Sequence, residues 1–327
     1  MAKATRSQLL LVMGLLTIAL MAPPLVLGMS GQFGLASVFV YGGIIGITAI
    51  FYDLRLALIL SVVAGVAGTI CTLLNPYPLA GAAFFGILTG ACALTSRRGI
   101  HSPVLMVPIF ASFLLVAPPA VPPLSAIPAG FIAGGVLALG GFWGTAITRV
   151  LLGHRLPSVD RKKLGPRAAT AYGVIMGVIL GVAAWAVLSY AKFHEGAWLL
   201  LTLIILLQPS PHDTFAKSLQ RMAGTVAGAL IAFILILVNV EETFALIMGG
   251  LLIFGALALR YVLKRPYWEY VTVLTPAVIL LSATGADRMR VAEDRVAFTL
   301  IATAVALLVA LGVKAFLVRR APATEST

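Results

Sequence analysis

Arg221 is the residue whose type and position best suit it to binding an anion. A guanidinium can hold a carboxylate through two parallel hydrogen bonds. Arg221 opens an apolar span predicted over residues 220–240, and the start of a helix adds free N–H donors and a positive dipole. In the other interpretation the arginine lies along the helix surface, reaches water with its charge and only fixes the topology. The sequence leaves both interpretations open.

Two threonines flank this arginine in the predicted spans, Thr202 before it and Thr225 after it. Their hydroxyls could donate hydrogen bonds to the same anion. The commoner fate of a threonine in a helix is to donate to the carbonyl four residues earlier. A polar lining around Arg221 is therefore a hypothesis.

Glu269 is a candidate for gating or coupling. It lies in the run Tyr267-Trp268-Glu269-Tyr270 at the start of a predicted span. As a gate or a protonation site it would pair with Arg221 or Arg265. As part of an interface belt, the aromatic residues anchor the helix and the glutamate faces headgroups. The aromatic surroundings favour the belt.

Pro108 and Pro276 lie well inside two predicted spans. Proline breaks one helical hydrogen bond and frees a carbonyl. Broken helices at corresponding places in two halves of a chain point to a transporter's binding site. A simple kink is the alternative.

The composition requires a membrane around these residues. Of 327 residues 61% are hydrophobic and 10% are charged, and the mean hydropathy is +1.06. Soluble domains are about 25% charged, so a soluble enzyme and a disordered chain are both excluded. In the second half Arg221, Glu269, Arg295 and Lys314 lie near span ends, and no carboxylate or histidine relay crosses the spans.

The sequence predicts an all-α polytopic membrane protein with about 12 transmembrane helices, because each span needs roughly 20 apolar residues. The predicted spans cover residues 8–29, 33–52, 56–74, 78–95, 102–119, 126–150, 168–190, 196–210, 220–240, 243–262, 267–284 and 294–317. They form a first six-helix half over 1–153, a basic cytoplasmic linker over 154–167, a second six-helix half over 168–320 and a C-terminal tail over 321–327.

The basic residues predict the orientation. With both termini in the cytoplasm, Lys192, Arg288, Arg290 and Arg295 fall outside, and the rest of the 23 Lys and Arg residues fall inside. That asymmetry follows the positive-inside rule. The net charge of +12 therefore reports topology, and no nucleic-acid partner is predicted.

The two halves are predicted to be parallel repeats, because six spans return the chain to the same side. At an offset of 160 residues Asp53 matches Asp213, and Val66-Ala67-Gly68 matches Val226-Ala227-Gly228. Pairs of glycines four residues apart predict close helix contacts. These pairs are Gly42 and Gly46, Gly140 and Gly144, Gly177 and Gly181, and Gly224 and Gly228.

Enzymatic chemistry is not predicted. The four histidines are isolated and lack metal-ligand spacing, and there is no phosphate-binding loop, dinucleotide fingerprint or hydrolase motif. The expectation is a protein without catalytic residues, metal or cofactor.

A run of motifs in the second half resembles a known family. The run comprises Gly196-Ala197-Trp198, Leu201-Thr202, Leu207-Gln208-Pro209-Ser210 and Arg221-Met222-Ala223-Gly224-Thr225-Val226-Ala227-Gly228. It resembles the FUSC-like membrane module of fusaric acid resistance proteins and aromatic acid exporters over about residues 168–320. The first half matches only in layout, since Ser61 stands where the arginine would be.

The resemblance implies an exporter of small organic anions, often aromatic carboxylates, in the bacterial inner (plasma) membrane. It adds Trp198 and Gln208 to the predicted substrate-binding residues. Membrane lipid and the organic anion are the expected partners, and a periplasmic adaptor and a homo-oligomer both fit. Many such exporters carry a large cytoplasmic domain, for which these twelve spans leave no room. The alternatives are a passive anion channel, as in related plant proteins, and a non-transporting scaffold for an envelope enzyme.

Overall fold

A computed structural model describes residues 6–121, 124–153, 159, 161–190, 196–237, 242–282 and 287–320. In these ranges the regular structure is helical, with no strand. The α-helices are α1 Arg6–Met29, α2 Phe33–Ile50, α3 Leu54–Leu74, α4 Pro78–Leu94, α5 His101–Val104, α6 Met106–Val116, α7 Ala126–Leu152, α8 Pro166–Tyr190, α9 Gly196–Leu206, α10 Pro211–Leu237, α11 Glu242–Leu257, α12 Tyr267–Ser282 and α13 Asp287–Arg320. A 3₁₀ turn, Thr95–Arg98, follows α4, and a π-turn, Ala258–Val262, follows α11.

Eight helical segments in the described part of the chain are long and apolar enough to cross a membrane. They contain α1 to α4, α7, α8, α10 and α13. The protein is therefore a multi-pass membrane protein. The predicted count of about twelve is not confirmed, because the other apolar helices are shorter: α9 has 11 residues, or about 16 Å at a rise of ~1.5 Å per residue.

Two helix starts near the candidate site differ from the predicted boundaries. The span predicted over 220–240 begins at Pro211, because proline suits the first position of a helix. There the Gln208 backbone N–H donates to Thr214 Oγ1 over 2.9 Å. The span predicted over 294–317 likewise begins at Asp287. Both shifts place an arginine, Arg221 and Arg295, more than two turns inside its helix rather than at its end.

The chain forms two compact units, Met1–Ile204 and Ile205–Thr327. The division falls within α9, whereas the sequence places the boundary at the linker over 154–167, so the predicted six-helix halves stay a prediction. Each unit is described by itself.

Glycines set the helix pairs of the first unit. A methyl group on Gly42 would meet Leu137 and Gly141, and one on Gly46 would meet Gly141 and Thr145. The contacts advance along both helices, so α2 and α7 run parallel. Two helices that pack in parallel have an odd number of crossings between them. Between α2 and α7 lie α3, α4 and the pair α5 and α6. Parallel packing of α2 and α7 is therefore expected if α5 and α6 together make one crossing.

Glycines also join α4 to α8. Gly86 faces Gly177 and Gly181, while Gly90 faces Gly173 and Gly177. The contact moves towards the start of α8 as it moves towards the end of α4, so the two helices are antiparallel. Close backbone approach through small residues is how membrane helices pack without a hydrophobic driving force.

In the second unit α10 packs against α12 and α13, and α11 packs against α12. The corresponding helix of the first unit, α3, packs against α6 and α7. The valine-alanine-glycine sequences matched at an offset of 160 lie in α3 and α10. The repeat and its parallel six-helix arrangement stay predictions.

The first of the two prolines lies beside an interruption of its span. α5 ends at Val104 and α6 begins at Met106, so the break lies about one turn before Pro108. A proline cannot donate to the carbonyl four residues earlier, and its ring crowds that carbonyl. The residue in question is Val104, where α5 ends.

Candidate functional site

Arg221 lies at the interface between α10 and α12. Its side chain is buried, with 4% of the residue exposed, and Nη1 donates a hydrogen bond to Tyr267 Oη over 3.0 Å. Nε is also buried and has no hydrogen-bond partner among the described residues. A buried charge is costly unless it is paired. This guanidinium is therefore suited to bind an anion.

Two glycines bring α12 close to this arginine. A methyl group on Gly224 would lie 2.6 Å from the Trp268 carbonyl oxygen, and one on Gly228 would lie 2.6 Å from that of Thr272. The residue contacted on α12 moves from Trp268 to Thr272 as the glycine on α10 moves from 224 to 228, so α10 and α12 run parallel. Because Arg221 precedes Gly224 by one turn, its side chain meets the first residue of α12, Tyr267.

Pro276 contributes to the same contact. It lies inside α12 and is buried, and it has no N–H to donate to the Thr272 carbonyl. That freed oxygen faces Gly228 of α10. α12 nevertheless continues through the proline from Tyr267 to Ser282, so the predicted break of the helix is wrong at Pro276. The proline only removes one hydrogen bond, two turns along the interface from Arg221.

Further cations surround Tyr267. The π-turn after α11 carries Arg260, whose Cζ lies 5.7 Å from the centre of the Tyr267 ring. Lys217, one turn before Arg221, is within electrostatic range of Arg260 and of Asp213. We call Lys217, Arg221, Arg260 and Tyr267 the cationic cluster. The three positive charges outweigh the Asp213 carboxylate that acts on Lys217, so the cluster favours an anion.

Buried hydroxyls continue from the cluster along α10. Ser218 is fully buried, and its Oγ has no partner among the described residues. Thr225 is buried one turn beyond Arg221. The predicted proximity of Thr225 to Arg221 thus agrees with the helix register, and Ser218 is an addition.

The other predicted substrate-binding residues are placed differently. Gln208 donates from Nε2 to the Ile205 carbonyl over 2.8 Å, so its amide takes part in the turn between α9 and α10. Trp198 and Thr202 belong to the first unit, where the Trp198 ring meets that of Phe113 edge to face at 5.1 Å and Thr202 is buried. Their role beside Arg221 stays a prediction.

Glu269 lies in the first turn of α12 and pairs with Arg265, with 3.5 Å between Oε2 and Nε. Of its two predicted partners, Arg265 is therefore the one in contact. The Glu269 side chain is 24% exposed and that of Arg265 is 60% exposed, so the pair lies at the rim of the cationic cluster. Trp268 beside it is exposed, as an interface belt requires.

Sequence reasoning missed the parts of the site that depend on helix starts and turns. It put Arg221 at a helix N-terminus, where backbone donors would assist it. That assignment is corrected, because α10 begins at Pro211. Tyr267 was assigned to the belt alone, and Arg260 was not singled out. The proline at 211 was the signal for the helix start, while nothing in the sequence indicated the π-turn.

An apolar groove of about 710 Å³ lies elsewhere, between α4 and α8 in the first unit. Its lining includes Ile87, Gly90, Val174 and Val178 and contains no charged residue. It suits lipid chains and offers nothing to an anion. In the described part of the chain no three His, Cys, Asp or Glu residues are grouped as they would be around a metal ion.

The family comparison covers most of the unit that holds the cationic cluster. A family model described as "Fusaric acid resistance protein-like" matches residues 183–309, from the end of α8 into α13. This region of the chain is FUSC-like. The resemblance inferred from the motifs around Arg221 is thereby confirmed, and the FUSC-like region contains every residue of the cluster. No curated protein and no solved structure matches the chain.

A FUSC-like region together with these apolar helices is typical of a membrane protein of transporter type. The FUSC family serves membrane transport and resistance and is not typically enzymatic. Lipid contact follows from the membrane location.

Proposed function

We propose that this protein exports small organic anions, chiefly aromatic carboxylates, across the bacterial inner membrane. The observation that carries the proposal is the buried Arg221 guanidinium, held by Tyr267 on one nitrogen and without a partner among the described residues on Nε. A carboxylate would complete this hydrogen bonding and neutralise the charge.

The surroundings of Arg221 favour an aromatic anion. The rings of Tyr267 and Tyr270 lie 5.9 Å apart, and aromatic rings attract one another in offset or edge-to-face arrangements. Arg260 and Lys217 add positive charge beside them. The carboxylate group of an aromatic anion would bind Arg221, while the aromatic ring of that anion would pack against Tyr267 and Tyr270.

The proposed direction of transport, export, rests on the family resemblance. In the predicted topology the start of α10 is cytoplasmic, so an anion would reach Arg221 from that side. In that topology Arg55, Arg97, Arg98, Arg221 and Arg265 all lie towards the cytoplasmic side of their spans, where positive charge raises the local anion concentration. A periplasmic adaptor and a homo-oligomer are both compatible with this arrangement.

Purified protein in liposomes tests the proposal. Radiolabelled 4-hydroxybenzoate would be loaded at neutral pH, with benzyltrimethylammonium as a cation of similar size and empty liposomes for leakage. We expect protein-dependent release of the anion and not of the cation. Equal release of both, or no release above empty liposomes, would contradict the proposal; a stable co-purifying enzyme without release would favour the scaffold.

The same cations would suit a passive anion channel. A channel gives anion current driven by voltage alone in planar bilayers, whereas an exporter needs an imposed proton gradient for uphill flux. Uphill accumulation of 4-hydroxybenzoate under a gradient would decide for the exporter, and current without one would decide for the channel.

A further inference from the structure

We propose that the groove between α4 and α8 binds an anionic phospholipid, with an acyl chain in the groove and the phosphate at a basic patch beside one end of it. The site lies within the first unit and is independent of Arg221 and of the proposed export. The basic patch comprises Arg97, Arg98, Arg161, Lys162 and Lys163.

The groove itself is apolar and open to the surroundings. Its volume is about 710 Å³, and its lining carries no charge. Of the lining residues Ile87 is 73% exposed, Val174 59% and Val178 60%. Both α4 and α8 are long and apolar enough to cross a membrane, so these side chains face the acyl chains of the bilayer. An empty groove would forfeit van der Waals contacts along its lining, and an acyl chain restores them.

The length of the groove suits an acyl chain of one leaflet. The lining runs along α4 from Leu79 to Leu94, which is about 22 Å at a rise of ~1.5 Å per residue. One leaflet supplies about half of the ~30 Å hydrocarbon core. Because α4 and α8 are antiparallel, Trp185 lies at the Leu79 end, where its ring meets that of Tyr190 edge to face at 5.7 Å. Such aromatic residues mark a membrane interface, so the Leu94 end points to the opposite interface.

The basic patch begins where the groove ends. A methyl group on Gly173 of α8 would meet Leu94, the last residue of α4. Arg97 and Arg98 lie in the 3₁₀ turn that follows Leu94, and both are exposed. Among the described residues no carboxylate forms an ion pair with either arginine. Two cations are therefore available about one helical turn beyond the apolar lining.

Two contacts hold the basic linker against this turn. The Leu164 backbone N–H donates to the Ser96 carbonyl over 3.0 Å. Gly99 has φ of 71°, and a methyl group there would lie 3.0 Å from Arg161. Only a glycine in this left-handed conformation lets the two segments approach so closely. The linker thus adds its basic residues at 161–163, all exposed, to those of the turn.

The patch carries more positive charge than its surroundings neutralise. Asp160 precedes the patch in the sequence and lies outside the described residues. Asp53 follows Tyr52, whose carbonyl accepts a hydrogen bond from Arg161 Nη2 over 2.7 Å. Two carboxylates cannot neutralise the five cations of the patch, so positive charge remains for a phosphate. Basic pockets between transmembrane helices on the cytoplasmic side bind anionic head groups in this way.

The groove and the patch together match the two parts of one molecule. A phospholipid joins acyl chains directly to a phosphate, and an anionic lipid has no cation in its head group to oppose the patch. A free phosphate would use only the patch, and a helix from a second copy of the chain would use only the groove. The juxtaposition of both favours the anionic phospholipid.

Binding of defined lipids to the purified full chain tests the proposal. Delipidated protein in detergent would be titrated with dioleoyl phosphatidylglycerol and with dioleoyl phosphatidylcholine, which has the same acyl chains, and native mass spectrometry would measure the bound lipid. We expect phosphatidylglycerol to bind at least about tenfold more tightly, because each basic residue near a membrane surface strengthens the attraction several-fold. Glycerol phosphate, which lacks the chains, should not displace it. Equal affinities for the two lipids, or displacement by glycerol phosphate at the same concentration, would overturn the proposal.

A pair of charge variants locates the head group. Arg97→Gln combined with Arg98→Gln should weaken phosphatidylglycerol binding at least about fivefold and leave phosphatidylcholine binding unchanged. The control combines Arg149→Gln and Lys314→Gln, at exposed positions of α7 and α13, and should bind phosphatidylglycerol as the wild type does. An equal loss in both double variants would overturn the proposal, since positive charge anywhere on the surface would then suffice.

A pair of tryptophan variants locates the acyl chain. Val174→Trp fills the groove near its basic end without disturbing the core, and Ile59→Trp on α3 is the control at a similar exposure of 57%. We expect Val174→Trp alone to weaken binding of both lipids, with unchanged elution on size exclusion. Wild-type lipid binding by Val174→Trp would place the chain elsewhere and overturn the proposal. A dimer that Val174→Trp disrupts without any change in lipid binding would also overturn it, and would assign the groove to a second copy. Release of 4-hydroxybenzoate enters none of these outcomes, so the proposed export stands or fails separately.

Discussion

The Arg221 Nη1 donates to the Tyr267 Oη over 3.0 Å and so joins the third turn of α10 to the first residue of α12. Gly224 and Gly228 continue the same contact along both helices. The bond holds the guanidinium in one orientation, with its Nε directed into the buried interface. Substrate binding in this account depends on that orientation.

Tyr267→Phe removes the acceptor and keeps the ring. A buried guanidinium N–H would lose its partner, which costs about 1–3 kcal/mol. We expect a lower unfolding midpoint in detergent and a several-fold higher KM for 4-hydroxybenzoate. Tyr190→Phe, at a tyrosine that is 76% exposed, should change neither value; the same KM for both variants would show that Tyr267 does not position Arg221.

Gly224→Ala tests the approach of α12 to α10. The added methyl group would lie 2.6 Å from the Trp268 carbonyl oxygen, so the helices must separate. We expect a loss of about 1–3 kcal/mol, as for overpacked cores. Gly250→Ala in α11 is the control, since nothing lies within 4 Å of the added methyl. Thermal unfolding in detergent measures both, and equal midpoints would argue against close α10–α12 packing.

Pro276→Ala tests the role of the proline inside α12. The new N–H could donate to the Thr272 carbonyl, which faces Gly228 in the wild type. We expect a higher unfolding midpoint, because proline inside a helix is unfavourable by about 3 kcal/mol relative to alanine. We also expect slower release of 4-hydroxybenzoate. Pro78→Ala, at the first position of α4, should affect neither; an unchanged release rate for Pro276→Ala would reduce the proline to a kink.

Lys264→Gly tests the turn between α11 and α12. Lys264 has φ of 51°, a left-handed conformation that costs a residue with a side chain about 1–2 kcal/mol. Glycine would remove this cost, but its extra conformational freedom in the unfolded chain offsets part of the stabilisation. We expect Lys264→Gly to stabilise the protein by about 1 kcal/mol or less and so to raise its thermal unfolding midpoint in detergent. Lys162→Gly in the exposed linker should not raise that midpoint. A lower midpoint for Lys264→Gly would contradict the strained turn.

The sequence predicted the helical membrane class and the FUSC-like region, because both depend on patterns within single segments. Hydropathy located the apolar segments, and the motif around Arg221 named the family. The exact helix starts could not be read in the same way. Hydropathy registers only the apolar part of α10, whereas the helix begins in the polar turn at Pro211.

The partners of Arg221 were also beyond the sequence. Tyr267 lies 46 positions away in the chain, and only the packing of Gly224 and Gly228 against α12 brings it near. Arg295 was predicted near a span end, since its helix was taken to start at residue 294 and not at Asp287. Contacts between helices depend on the relative register and rotation of those helices. Neither can be read from apolar segments that have similar compositions.

Transport by Arg221 variants tests the central claim most directly. Release of 4-hydroxybenzoate from liposomes would be compared for the wild type, Arg221→Gln, Arg221→Lys and Arg167→Gln, the last at an exposed arginine at the start of α8. The account predicts at least about a tenfold loss for Arg221→Gln, partial activity for Arg221→Lys and wild-type release for Arg167→Gln. Release by correctly folded Arg221→Gln at the wild-type rate and KM would contradict it.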